Sequence, residues 1–148
     1  MKRISRRARP HTITVYNYVS TTVGVATYQR TVLQQVQLDK GYQQRLSQRG
    51  VTTSDTALLI LDLSDTAATS DRTFIPAESW AALTALQRAA HFTFRTSDDF
   101  FIDGTPAETL PSTTKVAMQV KYRLFAVTSV NDPAHDTTTP RVLEVTAR

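Results

Sequence analysis

The sequence has no cysteine, and that absence removes disulfide staples, thiolate zinc sites and a cysteine nucleophile together. Glycine is scarce: four residues in 148 can hardly build a glycine-rich phosphate cradle. Neither G-x-S-x-G nor H-E-x-x-H occurs, and the many serine and threonine hydroxyls lack a base and an orienting partner in any recognised motif. No apolar run approaches the roughly 20 residues that span a bilayer, and the basic start is not followed by the apolar stretch of a secretory signal. These gaps set the expectation of a soluble, cytoplasmically made protein that has no membrane contact, no catalytic residues, no cofactor and no bound metal.

Acid is also missing from the beginning of the chain, where none precedes Asp39. Lys2, Arg3, Arg6, Arg7 and Arg9 supply five of the 17 basic residues, which leaves 12 bases against 13 acids, a body of net charge −1. The basic character therefore belongs to an arm. The expected organisation is a disordered arm over residues 1–10 that meets DNA or an acidic partner, followed by one β-rich domain over 11–148.

The remaining text is rich in β-branched and aromatic residues. In "TITVYNYV", Ile13, Val15 and Asn17 alternate with Thr14, Tyr16 and Tyr18, and "VATYQRTVLQQVQL" places Tyr28, Arg30, Val32, Gln34 and Val36 on one side. This predicts a hairpin turning at Gly24. Residues 39–55 are polar with two glycines and read as a long loop, and Leu58 to Leu63 as a buried strand. One amphipathic helix is expected near residues 76–90. Pro76 suits its first turn, Glu78 suits its dipole, and Trp80 and Leu83 anchor its apolar stripe on a sheet. "HFTFRT", "DFFID", "MQVKYRLFAVTSV" and "RVLEVTAR" read as further strands. The predicted fold is mainly β: a small antiparallel barrel or sandwich with one helix and long loops.

Two clusters invite a chemical reading. Asp98, Asp99 and Asp103 surround Phe100, Phe101 and Ile102, but a strand splits these carboxylates between its two faces, so they are read as strand entry and turn rather than a calcium loop or acid–base pair. In "NDPAHD", His135 lies between Asp132 and Asp136 without a natural fourth ligand, and Pro133 marks a hairpin loop. His11 and His91 are read as structural. Residues 104–118, "GTPAETLPSTTKVAM", form a proline-broken loop in which Thr105, Pro106, Glu108, Pro111 and Lys115 are candidates to face a lumen or dock a partner.

The order of segments carries a further signal. "TITVYNYV", "YQRTVLQQVQL", "FIPAESWAAL" leading into "FTFRTSDDFFIDG", then "YRLFAVTSVND" and "RVLEVTAR" together resemble a family of tailed-bacteriophage minor capsid or head–tail connector proteins. The resemblance spans most of residues 12–147, and its most specific part is the Ile-Pro, tryptophan-bearing helix followed by the T-F-R-x-x-D strand, Ile102 and Gly104. It implies a structural protein of the virion neck: a homo-oligomeric ring between a portal or adaptor protein and a tail-side neck protein, touching packaged DNA non-specifically. It brings no catalytic residues. A head-closure, a tail-completion and another minor-capsid role all fit. The contrasting class is a nucleic-acid-binding β-barrel with Tyr16, Tyr18, Tyr28 and Phe94 as stacking platforms, which a near-neutral body suits poorly.

Overall fold

The computed structural model describes residues 5–64, 72–96, 98–110, 115–132 and 142–148. The chain is mainly β. Six strands build its body: β1 (His11–Thr22), β2 (Val25–Ser47), β3 (Gly50–Asp62), β6 (Phe100–Asp103), β7 (Leu124–Asn131) and β8 (Val142–Ala147). They pair antiparallel in the cyclic order β1-β2-β3-β8-β7-β6, with β6 returning to β1. The closing side is thin, since β6 contributes four pairs to β1 and three to β7.

The alternation read in β1 holds. Ile13 and Val15 point into the barrel, where they join Leu33, Leu59, Leu61, Phe101, Leu143 and Val145, and Asn17 is buried two residues on. The alternation read in β2 fails midway. Ile13 pairs with Leu33 but His11 pairs with Val36, so β2 carries an extra residue there, and Gln35 takes a left-handed φ of 55°. This bulge turns Leu33 and Val36 to the same side, against the strict period of two.

The outer face of β1 and β6 is buried too. Tyr16, Phe100 and Ile102 form a second cluster with Leu110, Met118 and Leu124. That double burial explains why Phe100, Phe101 and Ile102 can be consecutive apolar residues instead of alternating ones.

Three expectations are corrected. Residues 39–55 are not a loop: β2 and β3 continue as one hairpin in which Gln37 to Ser47 pairs with Ile60 to Gly50. The polar text is a paired ribbon, not a lack of strand structure. The helix over 76–90 is two pieces, α1 (Ala77–Ala81) and α2 (Ala85–Arg88). Thr84 starts α2 with a capping box, its side chain accepting from the Gln87 N–H while the Gln87 side chain accepts from the Thr84 N–H. That local signal breaks the longer helical phase. Finally, "MQVKYR" is not strand: α3 (Lys115–Lys121) occupies it, and β7 starts at Leu124.

A pair of short parallel strands, β4 (Thr73–Phe74) and β5 (His91–Phe92), brackets α1 and α2. Phe74, Phe92 and Phe94 pack together, tilted or edge to face, and join the barrel core. The Asn17 side-chain amide donates to the Thr93 carbonyl at 2.6 Å, and Gln29 donates to the His91 carbonyl at 2.7 Å. This unit therefore seals the barrel end at the β1–β2 turn.

Candidate assembly surfaces

The basic arm ends earlier than its charge pattern suggests. Arg9 is 2% exposed, its Nη1 donating to the Gln35 carbonyl at 3.1 Å and its Nη2 lying 4.0 Å from Asp62 Oδ2. The bulge at Gln35 supplies that carbonyl. Asp62 is itself buried, and its Oδ1 accepts from the Ser64 N–H and hydroxyl. Arg9 thus pins the chain at the start of β1 and is unavailable to DNA. Residues Arg6–Ala8 form one 3-10 turn, Arg7 is exposed, and Lys2 and Arg3 lie outside the described residues. Of Arg6 only the backbone is described.

In the acidic stretch the three carboxylates have three fates. Asp98 is exposed. Asp103 pairs with Lys40 at 2.8 Å beside Gly104, whose φ of 106° lets the chain turn and its N–H reach the Thr12 carbonyl. Asp99 is buried: Oδ1 accepts from the Tyr18 N–H at 2.9 Å and from Arg95 Nη2, while Oδ2 accepts from the Arg95 N–H and Nε. Burial pushes the Asp99 carboxyl up from its ordinary range, and the Arg95 bonds oppose that push. The carboxylate ties β1 to the 95–99 turn. Its every described bond goes to that scaffold, and no cluster of three metal-ligating side chains occurs among the described residues. His135 and Asp136 lie outside them.

Arg95 also extends the network to the helices. Its guanidinium lies 5.6 Å from the Trp80 ring centre, and that of Arg88 lies 5.4 Å away. Trp80 is fully buried, as expected for an anchor. Leu83 is half-buried and Leu86 is exposed, so the apolar stripe does not continue along one face once α1 and α2 part.

The candidate docking loop is a strap laid on the barrel. Arg30 Nε donates to the Pro106 carbonyl at 2.9 Å, the Tyr16 hydroxyl to the Glu108 carbonyl at 2.8 Å, and Thr14 to the Gly104 carbonyl at 2.8 Å. Pro106 is buried and Thr105 exposed, while Pro111 lies outside the described residues. Glu108 faces Lys121 and the Tyr122 hydroxyl, and these bonds, the lysine's first, pull its carboxyl down to about 2. Lys115 begins α3 with its ammonium 5.0 Å from the Phe100 ring centre. Sequence reasoning missed α3 because only Met118 among its residues is buried.

What leaves the barrel is the β2–β3 ribbon. Residues 43–46 pair with 51–54, beyond the point where β1 stops pairing with β2 at Val36 and before β8 joins β3 at Ala57. At its root lies a cleft of about 180 Å³ between Lys40, Gly41, Tyr42, Asp55, Thr56, Arg123 and Phe125. Arg123 pairs with Asp55 at 3.0 Å and Lys40 with Asp103, so the cleft presents matched charges around Phe125 rather than a bare cation. Leu46, near the ribbon tip, is a large apolar side chain left in solvent.

A family model follows this chain from Arg9, the first buried side chain among the described residues, to within two residues of the end. The chain belongs to the family of unknown function DUF6751, which matches residues 9–146. No curated protein and no solved structure matches it. The DUF6751 region therefore takes in the barrel up to, but not including, the last residue of β8, the ribbon and the α1–α2 unit, and leaves residues 1–8 and 147–148 outside. No helix among the described residues is long and apolar enough to cross a membrane.

Proposed function

We propose that this DUF6751 chain is a structural subunit of a tailed-bacteriophage particle, a head–tail connector that forms a ring between portal-side and tail-side components and helps retain DNA. The observation that carries the reading is the β2–β3 ribbon. A two-stranded ribbon has two outer edges, one on each strand, and an unpaired edge is a template for another strand. In a ring all ribbons point the same way, so the β3 edge of one copy, at residues 51–56, runs antiparallel to the β2 edge of the next, at residues 43–46. Ribbons added in this way close a lumen lined by strands. The segment order shared with minor capsid and connector proteins supports the same reading. So does the division of labour in the chain: a packed barrel, a projecting ribbon, and a short cationic arm of Lys2, Arg3, Arg6 and Arg7 able to meet phosphate.

The nucleic-acid-binding barrel gains nothing from the geometry. Tyr16 and Phe94 are buried, and Tyr18 and Tyr28 pack edge to face on each other.

The test uses particles made without the protein. Filled heads that lack tails or lose their genome are expected, and particles with normal tails and retained DNA would reject the reading. In the purified protein, replacing residues 42–51 by a two-residue turn is expected to leave the barrel folded and abolish the ring, measured by sedimentation velocity. An unchanged ring would show that the ribbon is not the assembling element.

A further inference from the structure

The cleft at the ribbon root measures about 180 Å³. Pockets for cofactors and other small molecules run to roughly 300–1,000 Å³, so this one has room for a side chain or two and suits an anchor from a protein. Its floor is apolar, since Phe125 is buried and stacks on Phe101. Its charges are spent on one another, Arg123 on Asp55 and Lys40 on Asp103. A charged anchor would have to break one of those pairs, whereas an uncharged apolar one leaves both intact.

The chain carries an anchor of that kind. No acidic or basic residue lies between His11 and Arg30, and the hairpin of β1 and β2 turns within that stretch, at Val23 and Gly24. Val23 is 96% exposed at a φ of 53°, and Val25 is 49% exposed. A β-branched residue is strained at a left-handed turn position, where asparagine or glycine sits easily. Within one copy the Val23 side chain is left in solvent, so burial does not offset that strain. Strain held at such a position points to a contact made elsewhere. The other large apolar side chains exposed among the described residues have charges close by in the sequence: Leu46 lies between Arg45 and Arg49, Leu86 before Arg88, and Val116 and Val120 next to Lys115 and Lys121. Tyr42 itself lines the cleft.

Tip and cleft lie at opposite ends of β1. Val23 follows the last residue of that strand, while Asp103, which holds Lys40 at the cleft, pairs with Ile13 near the first. One copy therefore cannot fill its own cleft with its own tip. We infer that the β1–β2 tip of one copy seats Val23 in the ribbon-root cleft of the next, against Phe125 and Tyr42. Because tip and cleft differ, the contact is heterologous and repeats head to tail, giving a ring where the rotation closes and a filament where it does not. One side chain in one pocket is a weak contact, and closure makes it cooperative. The inference rests on the reading above for self-assembly alone; it needs neither the ribbon pairing nor a phage origin.

Sedimentation velocity and native mass spectrometry follow the full chain over a wide concentration range, with thermal melts confirming that each variant folds. The wild type is expected to assemble. Val23→Asp, which a left-handed turn accepts, and Tyr42→Asp, at a position 64% exposed, are each expected to give monomers. Mixed, these two variants should form a one-to-one heterodimer, one intact tip meeting one intact cleft. Val23→Asn should raise Tm and still weaken assembly by about tenfold or more, a split that a turn residue without a partner does not produce. The inference is overturned if the wild type stays monomeric, if Val23→Asp or Val23→Asn assembles like the wild type, or if the mixture stays monomeric. A ring that survives both aspartate variants yet is lost on ribbon replacement overturns this contact and leaves the connector reading standing. A ring lost in both, from a protein whose absence leaves particles tailed and filled, rejects the connector reading and leaves this contact standing.

Discussion

Replacing Arg9 by alanine separates a solvated arm from an anchored one. Arg9 and Asp62 are both buried, with their nearest charged atoms 4.0 Å apart, and Asp62 Oδ2 has no hydrogen bond among the described residues. Removing the guanidinium leaves a buried carboxylate with Ser64 as its described hydrogen-bond donor and strips the Gln35 carbonyl of a donor. Deleting one member of a buried pair costs about 3–5 kcal/mol. The separation is long for a direct salt bridge, so the lower end, about 3 kcal/mol, is expected, a fall in Tm of roughly 6–12 °C for a chain of this size. Asp62→Asn should cost less, since Ser64 keeps an acceptor. The double variant Arg9→Met with Asp62→Leu removes both charges and should recover to within about 1–2 kcal/mol of wild type. Urea denaturation of the four proteins gives the three stability differences. If Arg9→Ala changes the midpoint by under about 0.5 kcal/mol, as surface substitutions do, Arg9 belongs to the arm and the anchor argument fails.

Three further outcomes are expected. Val23 is 96% exposed at φ 53° beside Gly24 at φ 76°, a two-residue turn that favours Asn-Gly, so Val23→Asn should stabilise by about 1 kcal/mol, and a lower Tm would contradict the turn geometry. Leu83→Ala should cost about 1–2 kcal/mol because Leu83 is half-buried, against about 3–5 kcal/mol for Trp80→Ala in the core; equal costs would restore the single apolar stripe. Glu108 should titrate near 2 by NMR in the folded chain and move back toward the ordinary carboxyl range in Lys121→Met. Since its folded value is depressed, whatever stability the pair adds is present above the ordinary range and lost as pH falls through about 2, and a wild-type midpoint near 4 would show the pair to be open in solution.

Local chemistry in the sequence determined a good part of this protein. The alternation of Ile13, Val15 and Asn17 fixed which face of β1 lies inside, because side chains on a strand alternate whatever the strand packs against. The burial of the single tryptophan was legible from its helical spacing, whereas the acidic stretch was read as strand from Asp98 onward and only Asp103 of its three acids lies in β6. Tertiary structure decided what depends on partners distant in sequence. Arg9 reads as one more charge in a basic run until Gln35 and Asp62, 26 and 53 positions away, close over it. Residues 39–55 look like a loop because their polar text carries no apolar alternation, and their pairing appears only when β2 meets β3. Val116 and Val120 in α3, with Met118 the one buried residue between them, mimic a strand's period of two. Only the second cluster on the outer face of β1 and β6 shows which residue that helix was placed to bury.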